Sequence, residues 1–185
     1  MSLATPEKNW WKPLDKNESM WLKICIVVGL GLFLMMPLFH LVGKQNPPSR
    51  SYRVSAEDYR ALYDKFVEEN AVRDEDGEIV TETAFGIPVV EPKPGVTEIY
   101  LLAQKWSFYP ILKLKKGVEY QMHTSSVDLQ HGFSLQPKNI NFQMVPGYDQ
   151  VLKITPRDTG EFYIICNEYC EIGHHTMIGK LIVTD

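Results

Sequence analysis

Between Cys166 and Met177 the chain reads CNEYCEIGHHTM, which places two thiols, two imidazoles, acidic groups and a thioether within twelve positions. Cys166 and Cys170 are four residues apart, Cys170 and His174 four apart, and Met177 follows His174 by three. Upstream, His131 in LQHGFSL comes 35 residues before Cys166 and is expected just after a strand. Taken alone, His131, Cys170, His174 and Met177 offer two imidazoles, one thiolate and a weak axial thioether, the donor set of a mononuclear blue-copper site. A thioether is a soft donor and selects copper over hard cations. Cys166 is then surplus. A second thiolate facing the same place can bridge to a second copper, each metal taking one imidazole. The Met177 sulfur and a loop carbonyl, that of Glu168, would fill the weak axial positions. Such a site is closed to substrate and suits electron transfer. Two other uses of the same residues stay open from spacing. Zinc accepts two Cys and two His but leaves Met177 without a role, and the two thiols could form a disulfide in an oxidising compartment. Three histidines are set aside: His175 breaks the four-residue spacing, His123 lies on a polar strand face, and His40 ends an apolar run.

The elements that must hold these ligands are short strands. GVEYQMHTS alternates, with Val118, Tyr120, Met122 and Thr124 on one face. TEIYLLAQKW, YPILKLKK, INFQMV, QVLKITP, EFYIIC and GKLIVTD are further strand candidates, separated by turn signals such as Pro146-Gly147 and Asp158-Thr159-Gly160. Several short strands with turns between them predict a mainly β fold, an antiparallel β-sandwich or barrel. Its loops then carry the ligands, as loops on a rigid β scaffold commonly do. Ahead of these strands, SAEDYRALYDKFVEENA predicts a helix capped by Ser55, with Tyr59, Leu62, Tyr63 and Phe66 as its apolar stripe. The next stretch, residues 68–82, holds seven acids against Arg73 alone and reads as a solvated loop.

The run from Ile24 to Phe39 has no charged side chain and, extended to Gly43, reaches the length a helix needs to cross a bilayer. Trp10, Trp11 and Trp21 precede it, and Lys23 and Lys44 bracket it, as interfacial and snorkelling residues should. Its flank carries Glu7, Asp15 and Glu18, and no small-x-small site follows, so it is expected to be a transmembrane helix rather than a cleaved signal. The chain thus divides into an N-terminal flank (1–20), a transmembrane helix (21–43), a linker with helix and acidic loop (44–96), and a β domain (97–185). Three cysteines in 185 residues are too few for a disulfide scaffold, and a net charge of −4 argues against a nucleic-acid partner.

The pattern C-x-E-x-C-x-x-x-H-x-x-M, with His-Gly-Phe upstream and a closing GKLIV, resembles the binuclear copper (CuA) domain of cytochrome c oxidase subunit II over residues 97–185. The resemblance implies a cupredoxin-like sandwich outside the inner or plasma membrane, on the periplasmic or extracytoplasmic side. It implies two copper ions held by His131, Cys166, Glu168 through its carbonyl, Cys170, His174 and Met177, and a magnesium ion at a subunit interface through the Glu168 side chain. It also implies cytochrome c as electron donor and a heme-containing catalytic subunit I, which reduces oxygen, as acceptor. QKWSFYP resembles the stretch where electrons enter, making Trp106 and Phe108 candidates beside an equally available role as core aromatics. A single apolar run resembles the single-helix form found in b-type heme-copper oxidases. Glu171 stands where the family usually has glycine. The copper subunit of a nitric oxide reductase shares this architecture. A membrane-anchored copper chaperone would share C-x-x-x-C and a distant His, but on a thioredoxin-like fold.

Overall fold

The computed structural model describes residues 13–43, 47–82 and 85–185. Two compact units divide the chain, residues 1–44 and 45–185. Trp10, Trp11 and Lys44 lie outside the described residues. Among the described residues the first unit contains the helix α1 (Lys16–Val42). It begins before the expected residue 21 because Asp15 caps it. The Asp15 carboxylate accepts from the Glu18 N–H at 2.8 Å, and the Glu18 carboxylate accepts from the Asp15 N–H at 2.9 Å. This reciprocal pair satisfies two donors that a helix start leaves open. At about 1.5 Å per residue α1 is roughly 40 Å long, enough to cross a bilayer's hydrocarbon. Pro37 lies within it, and none of its side chains is buried.

In the second unit, the strands among the described residues form two packed sheets. One runs in the order β1 (Arg50–Arg53), β10 (Tyr148–Ile154), β7 (Tyr120–Ser126), β4 (Glu98–Gln104), β5 (Ser107–Tyr109). The other runs β2 (Thr81–Glu82), β3 (Ile87–Val90), β6 (Ile111–Lys115), β12 (Ile178–Thr184), β11 (Gly160–Ile165), β8 (His131–Gln136), β9 (Ile140–Met144). Most neighbours are antiparallel, but β4 with β7, β6 with β12, and β3 with β6 are parallel, so the sandwich is mixed. Parallel neighbours need crossover connections, which local turn signals do not reveal. Inward side chains alternate as expected in β7, where Tyr120, Met122 and Thr124 are buried. Val118 precedes that strand and is exposed, contrary to its predicted place on the same face.

Residues 47–82 and 85–96 share one compact unit with the β domain, so the expected boundary at residue 97 is not a structural division. β1 pairs with β10 and β3 with β6, while α2 (Ala56–Asn70) packs on β4. Ser55 caps α2 by accepting from the Asp58 N–H at 3.0 Å, a contribution of about 1 kcal/mol. Its buried stripe is Tyr59, Tyr63, Phe66, Val67 and Asn70. Leu62 lies off that stripe and is exposed. The Tyr59 ring is fully buried, and its hydroxyl donates to the Leu101 carbonyl at 2.9 Å, so the helix is pinned polar-to-polar through the core. The acidic stretch is partly ordered: Arg73 bonds the Glu68 carboxylate at 2.7 Å and the Gly77 carbonyl at 3.0 Å.

Candidate metal centre

β11 sits between β8 and β12, and this order assembles the site. The loop from β11 to β12 carries Cys166, Glu168, Cys170, His174 and Met177, and its base is closed by the Cys166 N–H on the Met177 carbonyl at 3.2 Å. On the other side of β11, His131 follows strand β7, as expected, and is itself the first residue of β8. Ile165 pairs with Ser134, so the antiparallel register carries His131 up beside the loop as β11 ends.

Gly132 makes that approach possible. A Cβ there would lie 2.0 Å from the Asn167 Oδ1 and 2.8 Å from the backbone nitrogens of Asn167 and Glu168. Within the loop, His174–Thr176 is a single 3-10 turn. Residues three apart eclipse in such a turn, which puts His174 and Met177 on one side and leaves His175 exposed.

The two sulfurs lie 3.7 Å apart. The Cys166 Sγ is 3.9 Å from His131 Nδ1 and 3.3 Å from the Glu168 carbonyl oxygen. The Cys170 Sγ is 3.5 Å from His174 Nδ1 and 3.8 Å from the Met177 Sδ. Each thiol therefore has one imidazole and one weak donor beside it, and all six sequence-predicted ligands meet at one place. Both cysteines are free thiols, their sulfurs well beyond the S–S bond length of about 2.05 Å. His131, Cys166 and Cys170 are buried, with ligand atoms within 4.8 Å of one another. A sulfur pair at 3.7 Å is closer than two metal–thiolate bonds of about 2.3 Å laid end to end, so one metal can touch both. The donor set fits a soft metal bridged by two thiolates.

Electrostatics prepare the site. Burial alone would push the Cys166 thiol up, but His131, backbone hydrogen bonds at Gly132 and Glu168, and Cys170 together bring it well below the usual thiol value. Burial and the neighbouring Cys166 push Cys170 up instead. Cys166 is thus the thiol more readily ionised, and Cys170 would give up its proton only to a bound metal. Asp128 accepts from His131 Nε2 at 2.8 Å, which fixes the tautomer and leaves Nδ1 free to face the sulfurs. Burial would raise the Asp128 carboxyl, but the Lys105 and Leu129 N–H groups and His131 hold it below its ordinary range. In the sequence Gly132 stands within His-Gly-Phe and Lys105 within QKWSFYP with no role attached to either, and Asp128 shows only as an acid three residues before His131.

The other candidates separate. Phe108 is in the core, 1% exposed, edge-on to Phe133 and against Gly179. Trp106 is half-buried across Gly173, where a Cβ would come within 2.6 Å of its ring. The Glu168 side chain accepts from Gln143 Nε2 at 3.1 Å. Tyr169 and Ile172 stand out from the loop, 77% and 88% exposed.

His123 is remote from the sulfurs in its interactions and bridges two carboxylates, Glu98 and Asp149, each at 2.6 Å, while stacking on Tyr100 at 4.7 Å. Burial alone would lower its pKa, but the hydrogen bonds and charges of Asp149 and Glu98 outweigh burial and raise it. A raised folded value means this stabilisation is complete below the unfolded imidazole value of about 6.5 and is lost as pH rises through the folded value. We expect the melting temperature to fall with rising pH over that window, and to fall less in His123→Gln. Parallel pH profiles of the two chains would refute the assignment.

No protein-family profile matches the chain. Cytochrome c oxidase subunit 2 of Thermus thermophilus is 34% identical over 98 residues, 52% of this chain and 73% of that relative. A chain from a heme-copper terminal oxidase dimer solved by cryo-EM superposes with a TM-score of 0.53 at 22% identity, covering 91% of this chain and 100% of that one. A rusticyanin variant superposes at 0.50 with 13% identity, covering 74% and 99%. At these identities the two structures speak for the fold, and it is cupredoxin-like.

Proposed function

Since the chain belongs to the cytochrome c oxidase subunit 2 family, we propose that it is the electron-transfer subunit of a terminal heme-copper oxidase, anchored by α1 and carrying a binuclear copper (CuA) centre. The observation that carries this reading is the paired geometry of the loop: two buried thiols 3.7 Å apart, each with an imidazole and a weak donor within 3.9 Å. Two copper ions held there would supply a one-electron couple with the charge shared across both thiolates. The protein's own part is to keep the ligands still. The Cys166–Met177 backbone bond closes the loop, Asp128 holds the His131 ring, and the single 3-10 turn holds His174 and Met177 together. A ligand set that does not rearrange suits rapid electron exchange, and a closed set excludes oxygen chemistry at this centre.

Oxygen reduction then belongs to a heme-containing subunit I, and cytochrome c is the donor. Trp106, lying against the ligand loop, is the side chain through which electrons enter; Phe108 supports the same region from the core. The Glu168 carboxylate, an oxygen donor of the kind magnesium takes, is available to a magnesium ion at the contact with subunit I. The sandwich stands on the periplasmic or extracytoplasmic side of the inner or plasma membrane, with α1 crossing it. The relatives' name favours the oxidase over the nitric oxide reductase reading, and the sandwich fold disfavours the thioredoxin-like chaperone.

Loading the full chain with copper in detergent is expected to give two copper ions per chain and a purple protein. Zinc at one per chain, with no visible absorption, would overturn the copper reading. A soluble fragment for the same test has to start by Pro47, because the Ser49 N–H bonds the Val151 carbonyl and β1 completes the sheet.

A further inference from the structure

Glu171 follows the second thiol and adopts φ of +80°. The left-handed region crowds the Cβ of any L side chain, and glycine is its usual occupant. Something has to hold Glu171 there. Its carboxylate meets Lys105 Nζ at 3.1 Å, and the same ammonium lies 5.9 Å from the Trp106 ring centre. Trp106 in turn lies across Gly173, one residue before His174.

Lys105 has a second hold on the site. Its backbone N–H donates to Asp128 Oδ2 at 2.8 Å, and the other oxygen of that carboxylate accepts from His131 Nε2 at 2.8 Å. One residue therefore reaches both parts of the centre. Through its backbone it steadies the strand-borne ligand His131; through its ammonium it grips the loop beside Cys170. We propose that Lys105 is a positioning residue for the metal centre, pinning the ligand loop through Glu171 at a fixed separation from His131. The inference rests on the copper reading above and adds to it the residue that sets the spacing between the two sources of ligands.

Both members of the ion pair are partly exposed, at 32% and 56%. Such pairs add little to global stability and weaken with salt. The consequence is therefore local, in the loop's order rather than in folding. Without the ammonium, Glu171 keeps its unfavourable backbone and loses its partner. Without the Glu171 side chain, the backbone relaxes and Lys105 loses its only grip on the ligand loop among the described residues, keeping the Trp106 ring. The two substitutions must therefore be strongly non-additive.

The test uses the full chain in detergent, loaded with copper, in four variants: Lys105→Met, Lys105→Arg, Glu171→Gly and the Lys105→Met/Glu171→Gly pair. Copper per chain, the visible band and the rate of copper loss to a chelator are measured. Lys105→Met is expected to shift the band and lose copper about ten-fold faster, the low end for disturbed ligand support. Lys105→Arg should restore both, and adding Lys105→Met to Glu171→Gly should change nothing further. An unaltered band and rate in Lys105→Met would overturn the pin. So would an equal effect of Lys105→Met with and without Glu171. A copper-free unsubstituted chain would instead overturn the centre itself, which separates the two failures.

Discussion

Gly132→Ala is expected to dismantle the metal centre while leaving the rest of the sandwich recognisable. The added Cβ would sit 2.8 Å from the backbone nitrogens of both Asn167 and Glu168, closer than real contacts allow. The 2.0 Å clash with Asn167 Oδ1 could be relieved by turning that side chain, at the loss of its bond to Asn141. The backbone clash has no such remedy. Either β8 or the ligand loop must move away, and His131 separates from Cys166. Overpacking of this kind costs about 1–3 kcal/mol, more than the few tenths to 1 kcal/mol that alanine recovers by restricting the unfolded chain. The expected result is a lower melting temperature and loss of most bound copper. Gly132→Ala/Asn167→Ala should regain little, because the backbone contact remains. Native copper content and melting temperature in Gly132→Ala would show that the close approach is not needed.

The second large effect separates the two thiols. Cys166→Ser leaves Cys170, His174 and Met177 in contact, and His131 is still within reach of the Cys170 sulfur. That remainder is the donor set of a mononuclear copper site. The variant is expected to fold, hold one copper in place of two, and show a localised electron with altered colour. Cys170→Ser leaves Cys166 with His131 and the Glu168 carbonyl, while His174 and Met177 lose the thiol they face. It is expected to bind copper more weakly and to show no mononuclear blue-copper spectrum. Copper per chain and hyperfine splitting by paramagnetic resonance decide the matter. Two coppers retained in Cys166→Ser, or identical spectra from the two variants, would refute the asymmetry.

What could be read before folding was the chemistry of the loop. All six candidate ligands are named by residue type and spacing, five of them within twelve positions. A one-turn helix and a closed hairpin base then place the five loop residues without long-range information. The same holds for α1, whose uninterrupted apolar length is a property of composition, and for the Ser55 cap of α2. Local chemistry specifies local geometry, and these elements are local.

Tertiary structure alone decided the rest. His131 reaches the thiols because β8 neighbours β11, and alternation along a strand reveals its faces but not its partner. The same blindness hid the parallel pairings and the membership of β1, β3 and α2 in the sandwich. Leu62 fell off the expected stripe because the neighbour that α2 packs against, not the helix period alone, selects which apolar side chains are covered. Asp128 carries no motif of its own, and the motif stretches that contain Gly132 and Lys105 do not state what either residue does. Their roles exist only where separate segments come within a hydrogen bond or a missing Cβ of one another. Ligand identity is written in the order of residues, whereas ligand spacing is set by the packing of strands distant in sequence, and the metal centre needs both.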